Sequence, residues 1–333
     1  MDAMNSSLAA DPSGPRLSRP IRVRRISAHV QTLSARARLW LICAGFAVLR
    51  RTVRTGYQTG VRFLGRLFRG SARVEVEIEG GVRLSVRLND PYWISILFAG
   101  DEYEPELGVV LNGLLGPRSA FVDCGANIGV WSCVAAGLIG DPKRVIAVEP
   151  GRPAVDELRR NAALSPIGFQ VVEAAVWKES DASLSFLERR AHTDSSLAGI
   201  AAPSSEPTVS RRQVSTVSLD DLLTQVNQDV DVIVLKIDLE GADVPCLEAA
   251  TLLSGRPLII VYEDHGSDAE HRVSSWFATH GFSIFGPSAE AGRLTPVSLQ
   301  EIARRKVLKF SGYNFVAVRS GREHLLVPIL APC

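Results

Sequence analysis

From Ser119 onward the sequence alternates two kinds of segment. Short runs dominated by Val, Ile and Leu lie at 119–123, 144–149, 169–176, 232–237 and 258–262, and their apolar character fits strands buried on both faces. The stretches between them are apolar on one side only. At 152–164, Pro153 sits in the first turn and Val155, Leu158 and Ala162 line one face, which predicts a helix. Ser218, with Asp221 three residues on, reads as a capping box for "LDDLL". "FSIFG" and "YNFVAVR" (Tyr313–Arg319) predict two further strands. Strands alternating with helices imply an α/β fold: a doubly wound sheet with right-handed crossovers.

Upstream the period changes. "RVEVEIEGGVRLSVRL" (73–88) alternates apolar and charged residues around Gly80-Gly81, the pattern of a β-hairpin. "DPYWISILFAGDEYEPELGVVLNGLL" reads as a short helix, a turn and a second, amphipathic helix leading into the sheet. The stretch from Glu188 to Arg212, rich in Ser, Ala, Pro and Arg, is too long for a passive connection and is expected to be a lid or disordered. The expected partition is a basic arm (1–72), the hairpin and its lead-in (73–98), the main domain (99–320) and a C-terminal tail (321–333).

Charge sharpens that partition. The segment 1–73 holds 14 Arg, no Lys and two acids (Asp2, Asp11), a net +12, whereas the segment 74–333 is net −11. Within the arm, "LWLICAGFAVL" (Leu39–Leu49) is flanked by arginines. It is too short to span a bilayer, which takes about 20 residues, and lacks the features of a signal peptide. A helix lying on an anionic membrane surface is the sharper expectation, against a basic helix packed on the body or an unstructured tail. The five cysteines (Cys43, Cys124, Cys133, Cys246, Cys333) show no paired spacing, which argues against a disulfide framework and a structural zinc site and for a reducing, cytoplasmic setting, to which the arm adds the expectation of membrane association.

The first strand runs into "FVDCGANIGVW" (Phe121–Trp131), with a helix expected from about Ile128. Gly125 can adopt positive φ and admit a ligand to the backbone; Gly129 lets the helix pack closely on the strand. Glu149 ends the next strand, at the distance beyond Gly129 where a carboxylate can accept both hydroxyls of a ribose. A dinucleotide loop carries G-x-G-x-x-G; this one is D-x-G-x-x-x-G, and Asp123 would repel a pyrophosphate. A carboxylate there suits the ammonium and sulfonium of S-adenosylmethionine better. An NAD-dependent oxidoreductase is the alternative on the same sheet.

"FVDCGANIGVWS", "VIAVEP", "ELRRNAAL", "VVEAAVW", "VLKIDLEGAD" and "LIIVYEDHG" occur in the order and spacing of the FkbM-type methyltransferases, and the chain resembles them over about residues 99–320. The resemblance implies a class I, Rossmann-like fold with a mostly parallel seven-stranded sheet. It implies S-adenosylmethionine as donor, and O-methylation of a hydroxyl on a sugar, glycolipid or polyketide-like molecule. By position, Asp123, Gly125, Asn127 and Gly129 would hold the methionine part, Glu149 the ribose, and Glu173 with Ala174 the adenine; Asn161 would brace the cofactor helix. Cys124 stands where the family often has Val.

The acceptor should meet the ends of the fourth and fifth strands. Lys236, Asp238 and Glu240 are spaced i, i+2, i+4, which puts them on one face if the backbone is extended. Asp238 would also lie near the methionine end of the cofactor. Glu263 and His265 repeat the spacing, and an imidazole is the side chain best matched to base chemistry near neutrality. The plainer alternatives are a Lys236–Asp238 ion pair, acids that complement the next helix (Glu240, Asp243) and a solvated His265. A divalent cation on Asp238, Glu240, Glu263 and His265 is a further alternative, and no metal is assigned. His192, Asp194, Ser195, Ser196, Tyr103 and Glu104 are weaker acceptor-side candidates. Nucleic acid is disfavoured as partner by the acidic body and by "KIDLEG" in place of an Asn/Asp-Pro-Pro-aromatic motif. Expected partners are a small-molecule or lipid-linked acceptor and a membrane surface met by the arm.

Overall fold

The computed structural model describes residues 23–27, 73–78, 82–87, 93, 104–189, 196–197, 208–265, 268–287, 293–306 and 313–331. Strands β1 (Val23–Ser27), β2 (Arg73–Ile78) and β3 (Arg83–Arg87) form a small antiparallel sheet. The expected hairpin is present, and β1, from the arm expected to be helical or disordered, adds a third strand to it. Leu39–Leu49 lies outside the described residues, as do Tyr103, His192, Asp194 and Ser195.

Helix α1 (Pro105–Leu114) leads into β4 (Ser119–Cys124), α2 (Val130–Ile139), β5 (Val145–Val148), α3 (Arg152–Leu164) and β6 (Gln170–Val172). Four strands then leave the alternation: β7 (Ala175–Trp177), β8 (Ser183–Arg189), β9 (Ser196–Leu197) and β10 (Thr208–Ser218). It resumes with α4 (Leu219–Gln225), β11 (Val232–Ile237), α5 (Asp243–Ala249) and β12 (Leu258–Glu263). The chain closes with α6 (Arg272–Thr279), β13 (Phe282–Pro287), β14 (Leu294–Pro296), α7 (Leu299–Lys306) and β15 (Asn314–Arg319).

The main sheet has eight strands in the order β14-β13-β15-β12-β11-β4-β5-β6. The five from β12 to β6 are parallel; β15, β13 and β14 are antiparallel. The doubly wound, mostly parallel architecture stands, with one strand more than the seven expected, because the three-residue β14 has no pattern to read. The sheet's period of two sorts its residues into two cores. Ala120, Val122, Ile233, Leu235, Ile260 and Tyr262 meet α4, α5 and α6; Phe121, Val234, Ile259 and Val261 meet α1 and α2. Leu326 and Ile329, from the expected tail, are fully buried in the second core.

Three expectations change. The run 169–176 divides at Glu173-Ala174, its first half joining the main sheet and its second half pairing with β10 in a separate four-stranded sheet, β7-β10-β8-β9. The segment expected as a long loop from Glu188 to Arg212 begins and ends inside a hairpin, since β8 and β10 pair from Ser183–Ser215 outward to Arg189–Thr208. Ser218 caps α4 by accepting the Asp221 N–H at 3.1 Å, but the return half of the box is absent. Asp221 accepts from the hydroxyls of Ser218 and Ser180, and the Ser218 N–H goes to Ser180 Oγ at 2.9 Å. Strand β4 lies between β5 and β11, so the chain's winding reverses at its carboxyl end, where open α/β sheets bind ligands.

Candidate active site

The glycine loop crosses the ends of β4 and β5. Gly125 and Ala126 donate their N–H groups to the Val148 carbonyl at 3.0 and 2.9 Å, and Gly129 donates to Ala126 at 2.8 Å. Gly125, Asn127 and Gly129 all have positive φ (83°, 51° and 83°). A Cβ on Gly125 would overlap the backbone carbonyl of Asp238, so this glycine is demanded by the neighbouring strand end. A Cβ on Gly129 would overlap Leu158 Cδ1 of α3, so that glycine serves the packing of one helix on another. Helix α2 begins at Val130, slightly later than expected, because the left-handed Gly129 cannot be part of it.

Two acids anchor this loop and a third holds the turn beside it. Asp123 is buried at 1% exposure; its Oδ2 accepts from Ser132 Oγ at 2.6 Å, and its Oδ1 has no hydrogen-bond partner. Burial raises its pKa, against Lys236 and Ser132, which lower it. Glu149 accepts the Asn127 N–H at 2.9 Å on one oxygen and the Gly151 N–H at 2.7 Å on the other. Burial pushes its carboxyl up to about 7, despite those two donors. Asp243, pushed by burial to about 6, accepts from Leu239 and Gly241, each at 3.1 Å, and so closes the turn after β11.

That turn corrects the expected strand geometry. Lys236 and Asp238 share a face, Nζ to Oδ2 3.2 Å, and Nζ also lies 3.7 Å from Asp123 Oδ1. The extended backbone ends there. Glu240 has φ 50° and Gly241 φ 102°, so Glu240 reaches the cluster through a turn, not by strand alternation. Burial works against the Lys236 ammonium, but Asp238, Asp123 and Glu104 outweigh it and raise its pKa. Glu263, at the end of β12, is pushed well above the carboxylate range, first by burial and then by Asp238 and Glu240. Glu104, the left-handed residue before α1, accepts from Trp131 Nε1 at 2.5 Å.

The remaining candidates divide. His265 is exposed beyond β12, its ring stacked on Tyr313 at 5.9 Å. Glu173 forms ion pairs with Arg159 (2.9 Å) and Arg212 (3.6 Å), while Ala174 is buried in the core. Asn161, fully buried, donates to the Ile128 carbonyl (2.8 Å) and accepts from the Ser85 N–H (2.6 Å), tying loop, helix and hairpin together. Ser196 belongs to β9. Sequence reasoning missed Ser132, which lies in the first turn of α2 on the side of Asp123. It also missed the buried Asp264–Lys306 ion pair beside Glu263, whose partners come from separate elements. Cys133 and Cys246 are buried thiols whose pKa burial raises.

These residues fit S-adenosylmethionine. Asp123 Oδ1, 3.7 Å from Lys236 Nζ, and Asn127 Oδ1 are buried acceptors without a hydrogen bond, the kind of group that an ammonium satisfies. Glu149 keeps lone pairs on both oxygens for ribose hydroxyls. The sequence matches the methyltransferase FkbM domain over residues 123–284. No curated protein matches the chain. Among solved structures, a methyltransferase FkbM from Methylobacillus flagellatus is 16% identical over 69% of this chain and 52% of that one, with a TM-score of 0.38. A precorrin-6y C5,15-methyltransferase from Geobacter metallireducens is 13% identical over 64% and 87%, TM-score 0.35. A SAM-dependent O-methyltransferase from Thermotoga maritima is 11% identical over 76% and 94%, TM-score 0.34. The family match sets residues 123–284 among methyltransferases and not among the oxidoreductases that share this sheet. The segment that builds the site, residues 123–284, is thus an FkbM methyltransferase domain, and S-adenosylmethionine is its methyl donor.

Proposed function

We propose that the chain methylates a hydroxyl on a sugar, glycolipid or polyketide-like small molecule. The observation that carries this reading is the position of Asp238. Its N–H continues the pairing of β11 with β4 through the Cys124 carbonyl (3.1 Å), its carbonyl packs against Gly125, and its carboxylate meets Lys236. A proton acceptor therefore stands where the cofactor loop begins.

Asp123 and Asn127 would hold the methionine ammonium, and Glu149 the ribose. The donor, when bound, supplies a methyl carbon whose bond to positive sulfur breaks as the acceptor oxygen attacks. Asp238 would take the proton that the hydroxyl loses, with Lys236 orienting its carboxylate. Glu240 and His265 line the acceptor side as further candidates for hydroxyl contacts. The arginines of the arm would hold the chain at an anionic surface, which suits a lipid-linked acceptor. Among the described residues no helix is long and apolar enough to cross a membrane.

Calorimetric titration with S-adenosylhomocysteine and with NADH, beside Glu149→Ala and Asp238→Asn, tests the reading. S-adenosylhomocysteine should bind, NADH should not, and Glu149→Ala should lose binding. With a hydroxyl acceptor found by methyl-transfer screening, Asp238→Asn should lower turnover by about a hundred-fold or more, the usual worth of a positioned base. Binding of NADH alone would overturn the methyl-transfer reading; unchanged turnover in Asp238→Asn would remove Asp238 as base.

A further inference from the structure

The turn after β5 carries Glu149 and runs Glu149-Pro150-Gly151-Arg152 into α3. Helix α3 has no side-chain cap of its own, since its N-cap is Gly151. The β8–β10 hairpin, which follows β6 and β7 in the chain, supplies what is missing. Glu188 Oε1 accepts the Arg152 N–H at 3.1 Å. Arg212 donates from Nη2 to the Pro150 carbonyl and from Nε to Glu188 Oε1 at 3.1 Å, and Nη2 lies 3.6 Å from Glu173. Ser210 Oγ donates to the other Glu188 oxygen at 2.5 Å. The buried Phe186 ring comes within 3.7 Å of where a Cβ on Gly151 would sit. Pro150 and Arg152 are therefore held from outside, while the Glu149 carboxylate holds the Gly151 N–H from inside.

We infer that this hairpin is a clasp for the adenosine half of the site, with Arg212 as a positioning residue that fixes the Glu149 turn and Glu173 together. The planar guanidinium is what makes this work. One fork reaches a carbonyl and two carboxylates that belong to three segments: the turn, the end of β6 and β8. An ammonium is a point donor and cannot span them. Glu188 in turn places negative charge at the N-terminus of α3, the end where the helix dipole favours it. Burial opposes ionisation of Glu188, but Ser210, the Arg152 N–H and Arg212 outweigh it and hold its carboxyl below the usual range.

The inference rests on the proposed adenosine site, and two measurements separate them. In the full chain, Arg212→Gln should weaken S-adenosylhomocysteine binding about ten-fold, the worth of one charged hydrogen bond. Hydrogen exchange at the Gly151 amide should speed up by a similar factor while β4 and β11 amides keep their protection. Arg212→Lys should retain the melting temperature of the unaltered chain yet still bind weakly, because charge alone does not restore the fork. Wild-type affinity in Arg212→Lys would make Arg212 a plain structural ion pair and overturn the positioning role. Unchanged affinity and unchanged Gly151 exchange in Arg212→Gln would overturn the clasp altogether. If S-adenosylhomocysteine does not bind the unaltered chain, the methyltransferase reading fails, and Gly151 exchange decides the clasp alone.

Discussion

Glu149 shows how a single side chain links folding to ligand binding. Its carboxyl is pushed up to about 7 from an ordinary 4.5, first by burial and then by the charges of Asp238 and Asp123. The folded state therefore holds this proton more tightly than the unfolded chain does. That stabilisation is complete below about pH 4.5 and is lost as pH rises through about 7, a change on the order of 3 kcal/mol. Asp243, at about 6, acts in the same direction. Denaturant unfolding of the ligand-free chain should thus show falling stability from about pH 5 to about pH 7.5, and Glu149→Gln should flatten most of the slope. Ribose hydroxyls donate to the ionised form, so S-adenosylhomocysteine affinity should do the opposite, rising toward about pH 7 and then levelling. A pH-independent affinity would mean that Glu149 does not meet the ribose. The loop that carries Asp123, Gly125 and Gly129, and the strand end that carries Glu149, were legible because loop chemistry depends on neighbours in sequence. What was not legible is what surrounds them: the carbonyl against Gly125 comes from Asp238, just past β11, and the side chain against Gly129 from Leu158 in α3. Gly125→Ala adds that clash to an unfavourable φ, and should cost about 2–4 kcal/mol and abolish binding. Gly140→Ala at the end of α2, with φ 75° and open space around it, should cost only about 1 kcal/mol and leave binding intact. Equal losses in the two variants would remove the close approach as the reason for Gly125.

The elements were read most faithfully where burial made their pattern simple. Strands β4, β5, β11 and β12 are covered on both faces, so their unbroken apolar runs could only be strands or very short buried helices. Strands β8 and β10 escaped because they pack on one face and put Ser, Gln and Arg on the other. "SLSFLER" and "TVSRRQVSTVS" look like loop composition until the two are laid side by side. The end of β11 escaped for a different reason: alternation predicts where side chains point only while the chain stays extended, and Asp243 folds the turn that ends it. The charge balance of that element depends on Lys236, whose ammonium is the shared counter-charge of Asp123 and Asp238. Lys236→Met keeps the side chain's bulk and removes the charge. It should destabilise the fold by about 3–5 kcal/mol, since breaking a buried pair strands its partners. Adding Asp123→Asn in the same chain should recover part of that loss. Additive losses in the double variant would show that the ion pair is not where the energy lies.

At the scale of the whole molecule, chemistry and charge are held apart. The acids of the site gather at the carboxyl ends of β4, β5, β11 and β12, whereas the arginines concentrate in the segment 1–73. The two meet structurally through β1 to β3: Arg73 and Arg87 pair with Glu157 of α3 at 2.7 and 2.5 Å, and Asn161, one turn on, holds the glycine loop. The sheet that follows the arm is thus docked on the helix that braces the cofactor loop. An arm that binds a surface would present the site to acceptors there without altering it. In the full chain, Arg36, Arg38, Arg50 and Arg51 changed together to Gln leave β1 and its pairing intact. The unaltered chain should sediment with vesicles containing anionic lipid, not with neutral ones, and salt should release it, since exposed charges are screened within about 8 Å at physiological ionic strength. The four-fold variant should lose vesicle binding and keep its affinity for S-adenosylhomocysteine. Vesicle binding that survives both salt and the substitutions would point to apolar insertion instead of charge, and a parallel loss of cofactor affinity would mean that arm and site are not separable.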